Sequence, residues 1–258
     1  MKLENMKVKE IKDWLQSMDI EESTEHLCDL KSDKRESIKK LADQIEKKYK
    51  GYLCEKERVK NLWKYEKRII EAGFQLIAGI DEAGRGPLAG PVVAAAVILP
   101  HNIFIEGVND SKKISSKKRD ELFDIITEKA VAIGVGIVDH EMIDEINILN
   151  ATKLAMSRAV ENLSDMPEYL LIDALRLADI DIKQVAIVQG DAKSISIAAA
   201  SIIAKVTRDR IMDKYDLEYP QYGFLKHKGY GTKLHYENVD KHGLSQIHRK
   251  SFFKKYNR

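Results

Sequence analysis

From Phe74 onward, short apolar runs alternate with stretches of helical periodicity, and this alternation restricts the fold more than any other feature of the chain. "FQLIAGI" is followed by "PVVAAAVIL", the helical "SSKKRDELFDIITEKA", "VAIGVGIV", helices from Glu141 to Leu163, "YLLID" and "VAIVQGD". Runs of this length bounded by Gly, Pro and Asp read as strands. Strands interleaved with helices stack into a layered α/β domain around a largely buried sheet. A long Ala-rich segment, "SIAAASIIAKVTRDRIMDKY", follows. Its small side chains allow an amphipathic helix to lie close on the sheet.

Residues 1–72 have a different texture, dense in alternating charge and nearly free of strand signal. Ile38, Leu41, Ile45 and Tyr49, then Val59, Leu62 and Trp63, recur at helical spacing. A shorter helix around Val8 to Met18 carries Ile11, Trp14 and Leu15, and Asp33 with Glu36 has the spacing of a capping box that opens the long helix. The expected organisation is a charged helical extension over 1–72 and an α/β domain over 73–258 that ends in a basic segment.

No stretch approaches the roughly 20 apolar residues of a membrane helix. The charged start "MKLENMKVKEIKDWL" is unlike a secretion signal, so a cytoplasmic protein with no membrane contact is expected. Cys28 and Cys54, with His26 as the one nearby histidine, make a poor zinc set and are expected to be reduced, structural thiols. The net charge of +2 hides an uneven distribution. Between Pro220 and Arg258 stand Lys226, Lys228, Lys233, Lys241, Arg249, Lys250, Lys254, Lys255 and Arg258, against Glu237 and Asp240. His227, His235, His242, His248 and several aromatic residues are interleaved with them. Such a segment suits a polyanion with faces to stack on, and equally a solvated surface.

Three of the apolar runs end in acid: "IAGIDE" in Asp81 and Glu82, "YLLID" in Asp173, and "VAIVQGD" in Asp191. Ligand sites in open α/β sheets lie beyond the carboxyl ends of the strands, so distant segments can bring these carboxylates into one small volume. Like charges in a dry cleft raise one another's pKa, and a hard divalent cation such as Mg²⁺ or Mn²⁺ relieves the repulsion. Each acid also has a plainer role. Asp191 after Gly190 could cap the Ala-rich helix, and Asp173 alone could simply end a strand. Asp81 and Glu82 point to opposite faces of an extended strand, so both reach one cluster only if the backbone bends, which Gly79 and Gly84 permit.

A pair of divalent ions about 4 Å apart supports in-line displacement at phosphorus, whereas paired carboxylates alone can hydrolyse a glycoside. The basic tail and Arg85 favour phosphate. No GxxxxGK[ST] loop is present, and the "GRG" at Gly84 is not a dinucleotide fingerprint. Metal-dependent cleavage of a nucleic-acid backbone is the chemistry these residues favour.

"GIDEAGRGPLAGPVVAAAVIL", "NDSKKI", "NATKLAMSRA", "LLIDAL", "GDAKSISIAAASIIAKVTRD", "HKGYGTKLH" and "HRKSF" together resemble, in order, the motifs of bacterial ribonuclease HII, the type 2 ribonuclease H, over about residues 74–253. The resemblance implies a ribonuclease H-like fold, a mixed sheet flanked by helices, here with a helical N-terminal extension. It implies endonucleolytic cleavage of RNA paired with DNA and of the 5′ side of ribonucleotides embedded in duplex DNA, leaving 3′-hydroxyl and 5′-phosphate ends, with Mn²⁺ or Mg²⁺ as cofactor. The family's catalytic and metal-binding quartet falls on Asp81, Glu82, Asp173 and Asp191. Its substrate-binding triplet falls on Gly84, Arg85 and Gly86, where bare backbone approaches a ribose 2′-OH and the guanidinium holds a phosphate. Its junction-sensing tyrosine falls on Tyr230, and Lys112 and Lys205 are candidate phosphate contacts.

Related type 3 enzymes lack the arginine-centred triplet and carry a sheet-like N-terminal platform, so the intact "GRG" and the helical extension favour type 2. Many family members begin near the catalytic domain, and the leading helices resemble those of some bacterial members. A monomer is expected. Two alternatives share the resemblance: a hybrid-duplex binding module without catalysis, and another metal nuclease of the same fold.

Overall fold

A computed structural model of the chain describes Leu3 and residues 6–253. The contacts divide it into two compact units, Met1–Arg58 and Val59–Arg258. The first unit contains α1 (Val8–Gln16), α2 (Ile20–Glu25), α3 (Leu27–Ser32) and most of α4 (Glu36–Leu62). Ile11, Leu15, Leu30, Ile38, Ala42 and Ile45 form its buried core, so the spacing along α1 and α4 marks packing. The capping box forms at α2, where Asp19 accepts from Glu22 N (2.8 Å) and Glu22 reaches back to Asp19 N (3.4 Å). Asp33 does not form the expected one. Its two oxygens hold Arg35 through the backbone N, Nε and Nη2 at 2.6–2.9 Å, and a forked guanidinium outcompetes a distant amide. Cys28 and Cys54 are free and exposed, and the expected structural role is absent because neither packs in a core.

The second unit begins with the end of α4 and α5 (Lys64–Glu71), followed by β1 (Ile77–Ala83), β2 (Val92–Ile98), α6 (Ser116–Lys129), β3 (Ala132–Val138), α7 (His140–Glu161), β4 (Tyr169–Asp173), β5 (Lys183–Ile187) and α8 (Ile195–Glu218). α9 (Phe224–His227) and α10 (Lys233–His242) complete it. The strands form one mixed sheet in the order β3-β2-β1-β4-β5. β1, β2 and β3 pair antiparallel, while β4 lies parallel to both β1 and β5.

Ala78, Ile80, Ala94 and Ala96 face α7, and Ala95 and Val97 face α8 and α6, the two-residue alternation expected of strands covered on both faces. Glycine brings the layers close. A Cβ at Gly79 would stand 2.1 Å from the backbone of Ser196 in α8, and one at Gly136 would stand 1.9 Å from the Ala155 carbonyl in α7. α7 is two helices joined at Asn147 (φ 68°), whose side chain accepts from Leu149 N and Asn150 N. Among the described residues no helix is long and apolar enough to cross a membrane.

α8 is capped by Ser194, whose hydroxyl accepts from Ile197 N, so Asp191 is not the cap. Ser194 donates in turn to Oε1 of the buried Glu66 on α5 (2.6 Å), which also accepts from Ser196 N (3.1 Å). Oε2 of Glu66 is buried with no hydrogen-bond partner, and burial raises the pKa of this carboxyl despite both donors. A raised folded-state pKa adds stability below the unfolded value, lost as pH rises through the folded one. Glu66→Gln should therefore melt above the parent at pH 8, by about 3 °C, with the gap closing on acidification. Calorimetry across pH 5–8 checks this, and a constant gap would contradict it.

The basic C-terminal segment is less of a surface than expected. His227, His235, His248 and Arg249 are all buried. Lys228 pairs with Asp213, and Lys226, Lys233, Lys241 and Lys250 remain exposed. Lys254, Lys255 and Arg258 lie outside the described residues. The histidines turn inward because Tyr222 and Phe224 offer ring faces and edges 5.0–5.9 Å away, as in the 5.5 Å edge contact of Phe224 with His235.

Candidate active site

The parallel register of β1 and β4 ends at Ile80 opposite Ile172. The next residues, Asp81 and Glu82 on β1 and Asp173 on β4, therefore emerge at the same sheet edge. Each offers a carboxylate oxygen within 4.8 Å of the other two. No backbone bend is needed, because β1 stays paired with β2 through Ala83. Asp81 Oδ1 curls forward to accept from Glu82 N (2.7 Å), and the longer Glu82 side chain brings its carboxylate into the same cluster.

Asp191 sits in the 3₁₀ turn Gly190–Ala192 beyond β5, not at a strand end. Gly190 N donates to Asp173 Oδ1 (2.7 Å), which ties this turn to β4. Asp191 lies outside the three-carboxylate group but within the field of Asp173, Asp110 and Lys112.

Burial pushes the Asp81 carboxyl well up, and Glu82 and Asp173 add like-charge repulsion. Burial also raises Glu82, against the pull of Arg85. Asp191 rises through burial and then the charges of Asp110 and Asp173. The ammonium of Lys112 is held protonated by Asp81, Asp110, Asp191 and Glu82 against its own desolvation. Oε2 of Glu82 is buried with no hydrogen-bond partner. A hard divalent cation satisfies such a set, since it supplies positive charge and binds oxygen. Asp81, Glu82 and Asp173 thus fit a divalent ion.

Beside the acids lies a cleft of about 170 Å³ lined by Glu82, Gly84, Arg85, Gly86, Lys112, Lys205 and Tyr230 among others. It gathers the whole expected substrate-binding set. Arg85 donates to Glu82 Oε1 (3.3 Å) and is exposed. Gly84 has φ +97°, and a Cβ there would stand 2.2 Å from Arg208 Nε, so only glycine fits. A Cβ at Gly86 would stand 3.8 Å from the Tyr230 ring. Lys205 pairs with Asp209 (2.7 Å) and lies 5.7 Å from the Tyr230 ring centre, and burial lowers its pKa.

Sequence reasoning missed the groups that hold this loop. Arg249 is fully buried and donates to the carbonyls of Gly84, Arg85, Pro87 and Gly90 at 2.7–3.1 Å. Arg208, also fully buried, donates to those of Ala89, Pro91 and Lys228. Burial lowers their pKa values to about 9 and about 10, which leaves both charged at neutral pH. Neither carries a sequence signal, because carbonyl acceptors are common to every residue. Asp110, beside Asp191, and Ser201, which is bonded to Ser111 (2.9 Å) and faces Asp81, were also missed. The "NDSKK" stretch was the available signal for Asp110.

A mixed sheet whose strand edge gathers acidic residues, covered by helices on both faces, defines a metal-dependent nuclease of the ribonuclease H-like fold. The family model described as Ribonuclease HII matches residues 78–255, and that described as Ribonuclease HII N-terminal domain matches residues 7–69. Ribonuclease HII of Acetivibrio thermocellus is 55% identical over 252 residues, 98% of each chain. That of Bacillus subtilis is 49% identical over 250 residues, 97% of each. Among solved structures, ribonuclease H2 from Pyrococcus horikoshii superposes with a TM-score of 0.57 at 29% identity, covering 69% of this chain and 93% of that one. The ribonuclease HII in the PCNA complex from Archaeoglobus fulgidus gives 0.56 at 28% identity, covering 68% and 94%. The chain belongs to the ribonuclease HII family and is a metal-dependent endoribonuclease with ribonuclease H activity on RNA–DNA hybrids.

Proposed function

We propose that this enzyme cuts the phosphodiester on the 5′ side of a ribonucleotide, in RNA–DNA hybrids and at single ribonucleotides embedded in duplex DNA, leaving 3′-hydroxyl and 5′-phosphate ends. Asp81, Glu82, Asp173 and Asp191 are its catalytic residues and would together hold two divalent ions, Mg²⁺ or Mn²⁺. When bound, the ions supply positive charge against the phosphate and the leaving oxygen. The convergence of Asp81, Glu82 and Asp173 beside a cleft that carries Gly84, Arg85, Gly86 and Tyr230 carries this reading.

The chain's own groups do the positioning. Gly86 leaves backbone open to a 2′-hydroxyl, the group that distinguishes RNA from DNA, and Gly84, packed against Arg208, sets the turn that presents it at the cleft. The Tyr230 ring stands across from Gly86, where it would pack on the deoxyribose that follows the ribonucleotide and disfavour an added hydroxyl there. Arg85, Lys112 and Lys205 would contact phosphates. The enzyme acts as a monomer, and a duplex DNA substrate favours the cytoplasm.

Labelled duplexes of all DNA, of RNA–DNA hybrid and of DNA with one ribonucleotide, incubated with Mn²⁺ or Mg²⁺, test this directly. Cleavage of the last two at the stated bond, stopped by EDTA, is expected. Cleavage of all-DNA duplex, or a cut on the 3′ side of the ribonucleotide, would overturn the proposal.

A further inference from the structure

Tyr230 has a half-exposed ring but a tightly held backbone. Its carbonyl accepts from Thr232 N (2.8 Å), and His235 Nδ1 lies 2.9 Å from the same oxygen. His235 Nε2 faces His248 Nε2 at 3.0 Å, and His248 Nδ1 meets Ser245 N and Oγ at 2.9 and 2.7 Å.

The donors in this chain follow one from another. Ser245 N can only donate, so His248 Nδ1 accepts, and a neutral His248 must carry its proton on Nε2. His235 Nε2 then accepts, which leaves the His235 proton on Nδ1, donated to the Tyr230 carbonyl. His227 is oriented the same way: Gly229 N donates to its Nδ1 (3.2 Å), and its Nε2–H goes to the Tyr222 carbonyl (3.0 Å). His235 and His248 are fully buried, and burial lowers both pKa values to about 4, so each ring is neutral at working pH.

We propose that His235, oriented by His248, is a positioning residue that sets where the Tyr230 ring stands against Gly86, and so tunes discrimination between a ribonucleotide–deoxyribonucleotide junction and uninterrupted hybrid. The proposal rests on Tyr230 being the junction-sensing group. A purely structural role for His235 would depend on filling the site, whereas a positioning role depends on which ring nitrogen is replaced. Asn places an amide near Nδ1 and can still donate to the Tyr230 carbonyl. Gln places it near Nε2 and cannot.

The experiment measures kcat and KM on a single-ribonucleotide duplex and on a hybrid for the parent, His235→Asn, His235→Gln, Tyr230→Ala and the His235→Gln/Tyr230→Ala double variant, with melting temperatures alongside. His235→Gln is expected to lower the junction-to-hybrid ratio of kcat/KM roughly tenfold, chiefly through KM on the junction substrate, while His235→Asn stays within about twofold of the parent. The ratio of the double variant should match that of Tyr230→Ala alone. Equal losses in Asn and Gln, or full additivity in the double variant, overturn the proposal. If His235→Gln does not fold, His248→Asn serves instead. It keeps the acceptor for Ser245 but removes the donor to His235, and an unchanged ratio there overturns the proposal. A ratio unmoved by Tyr230→Ala defeats the reading of Tyr230 itself, whereas a ratio moved by Tyr230→Ala but not by His235→Gln defeats the relay alone.

Discussion

Asp81→Asn is expected to lower cleavage of a single-ribonucleotide duplex by about 10³-fold or more in saturating Mg²⁺, the scale on which loss of one transition-state charge stabiliser registers. Binding of the uncleaved duplex should change by less than about threefold, because groups that act on the reacting phosphate contribute mainly in the transition state. Asn keeps the shape of Asp81 and the bond from Glu82 N to its side-chain oxygen. What it removes is one negative oxygen from the three carboxylates within 4.8 Å. The folded protein should gain stability from the change when no divalent ion is present, since burial and two like charges oppose an ionised Asp81. Loss of activity with a raised melting temperature would therefore distinguish a catalytic role from damage to the fold. An active Asp81→Asn enzyme would remove the assignment of the whole acidic group.

The second large effect is structural. Arg249→Ala should destabilise the protein by about 4 kcal/mol, the scale set by several carbonyls left buried without a donor, and lower the melting temperature by about 10 °C. Four carbonyls between Gly84 and Gly90 lose their donor at once, and each buried unsatisfied acceptor carries a penalty of about 1–3 kcal/mol. The same loop carries Gly84, Arg85 and Gly86, so KM should rise even at temperatures where the variant is folded. Arg249→Lys should not rescue it, because an ammonium cannot span four acceptors in the plane of a guanidinium. Thermal melts combined with cleavage kinetics on a single-ribonucleotide duplex check both parts, and a variant within about 2 °C of the parent would refute the first.

Much of the sheet is legible in the sequence. β1, β2, β3 and β4 coincide with the apolar runs to within a few residues, because strands covered on both faces need nearly continuous apolar sequence. β5 is displaced. The apolar run extends to Val188, yet the strand is Lys183–Ile187, and Val188 is exposed. An edge strand is half open to water, so burial marks its ends poorly. The acidic residues were legible as a coincidence of strand ends, whereas Asp191 sits in a turn that Asp173 holds through Gly190 N. The C-terminal segment misled for a related reason: a basic composition says nothing about whether carbonyls or aromatic rings await the side chains.

The linear order of residues determined the periodicities, hence the layered α/β class, and also the residue types available for chemistry, because helix and strand patterns are local and each side chain brings its own acid, base or donor. Tertiary structure alone decided that Asp81, Glu82 and Asp173 share one volume, that Arg249 faces the carbonyls of a loop some 160 residues earlier, and that His248 orients His235. These contacts are non-local, and strand register and loop closure, not the neighbours along the chain, set the distances on which charge, coordination and hydrogen bonding depend.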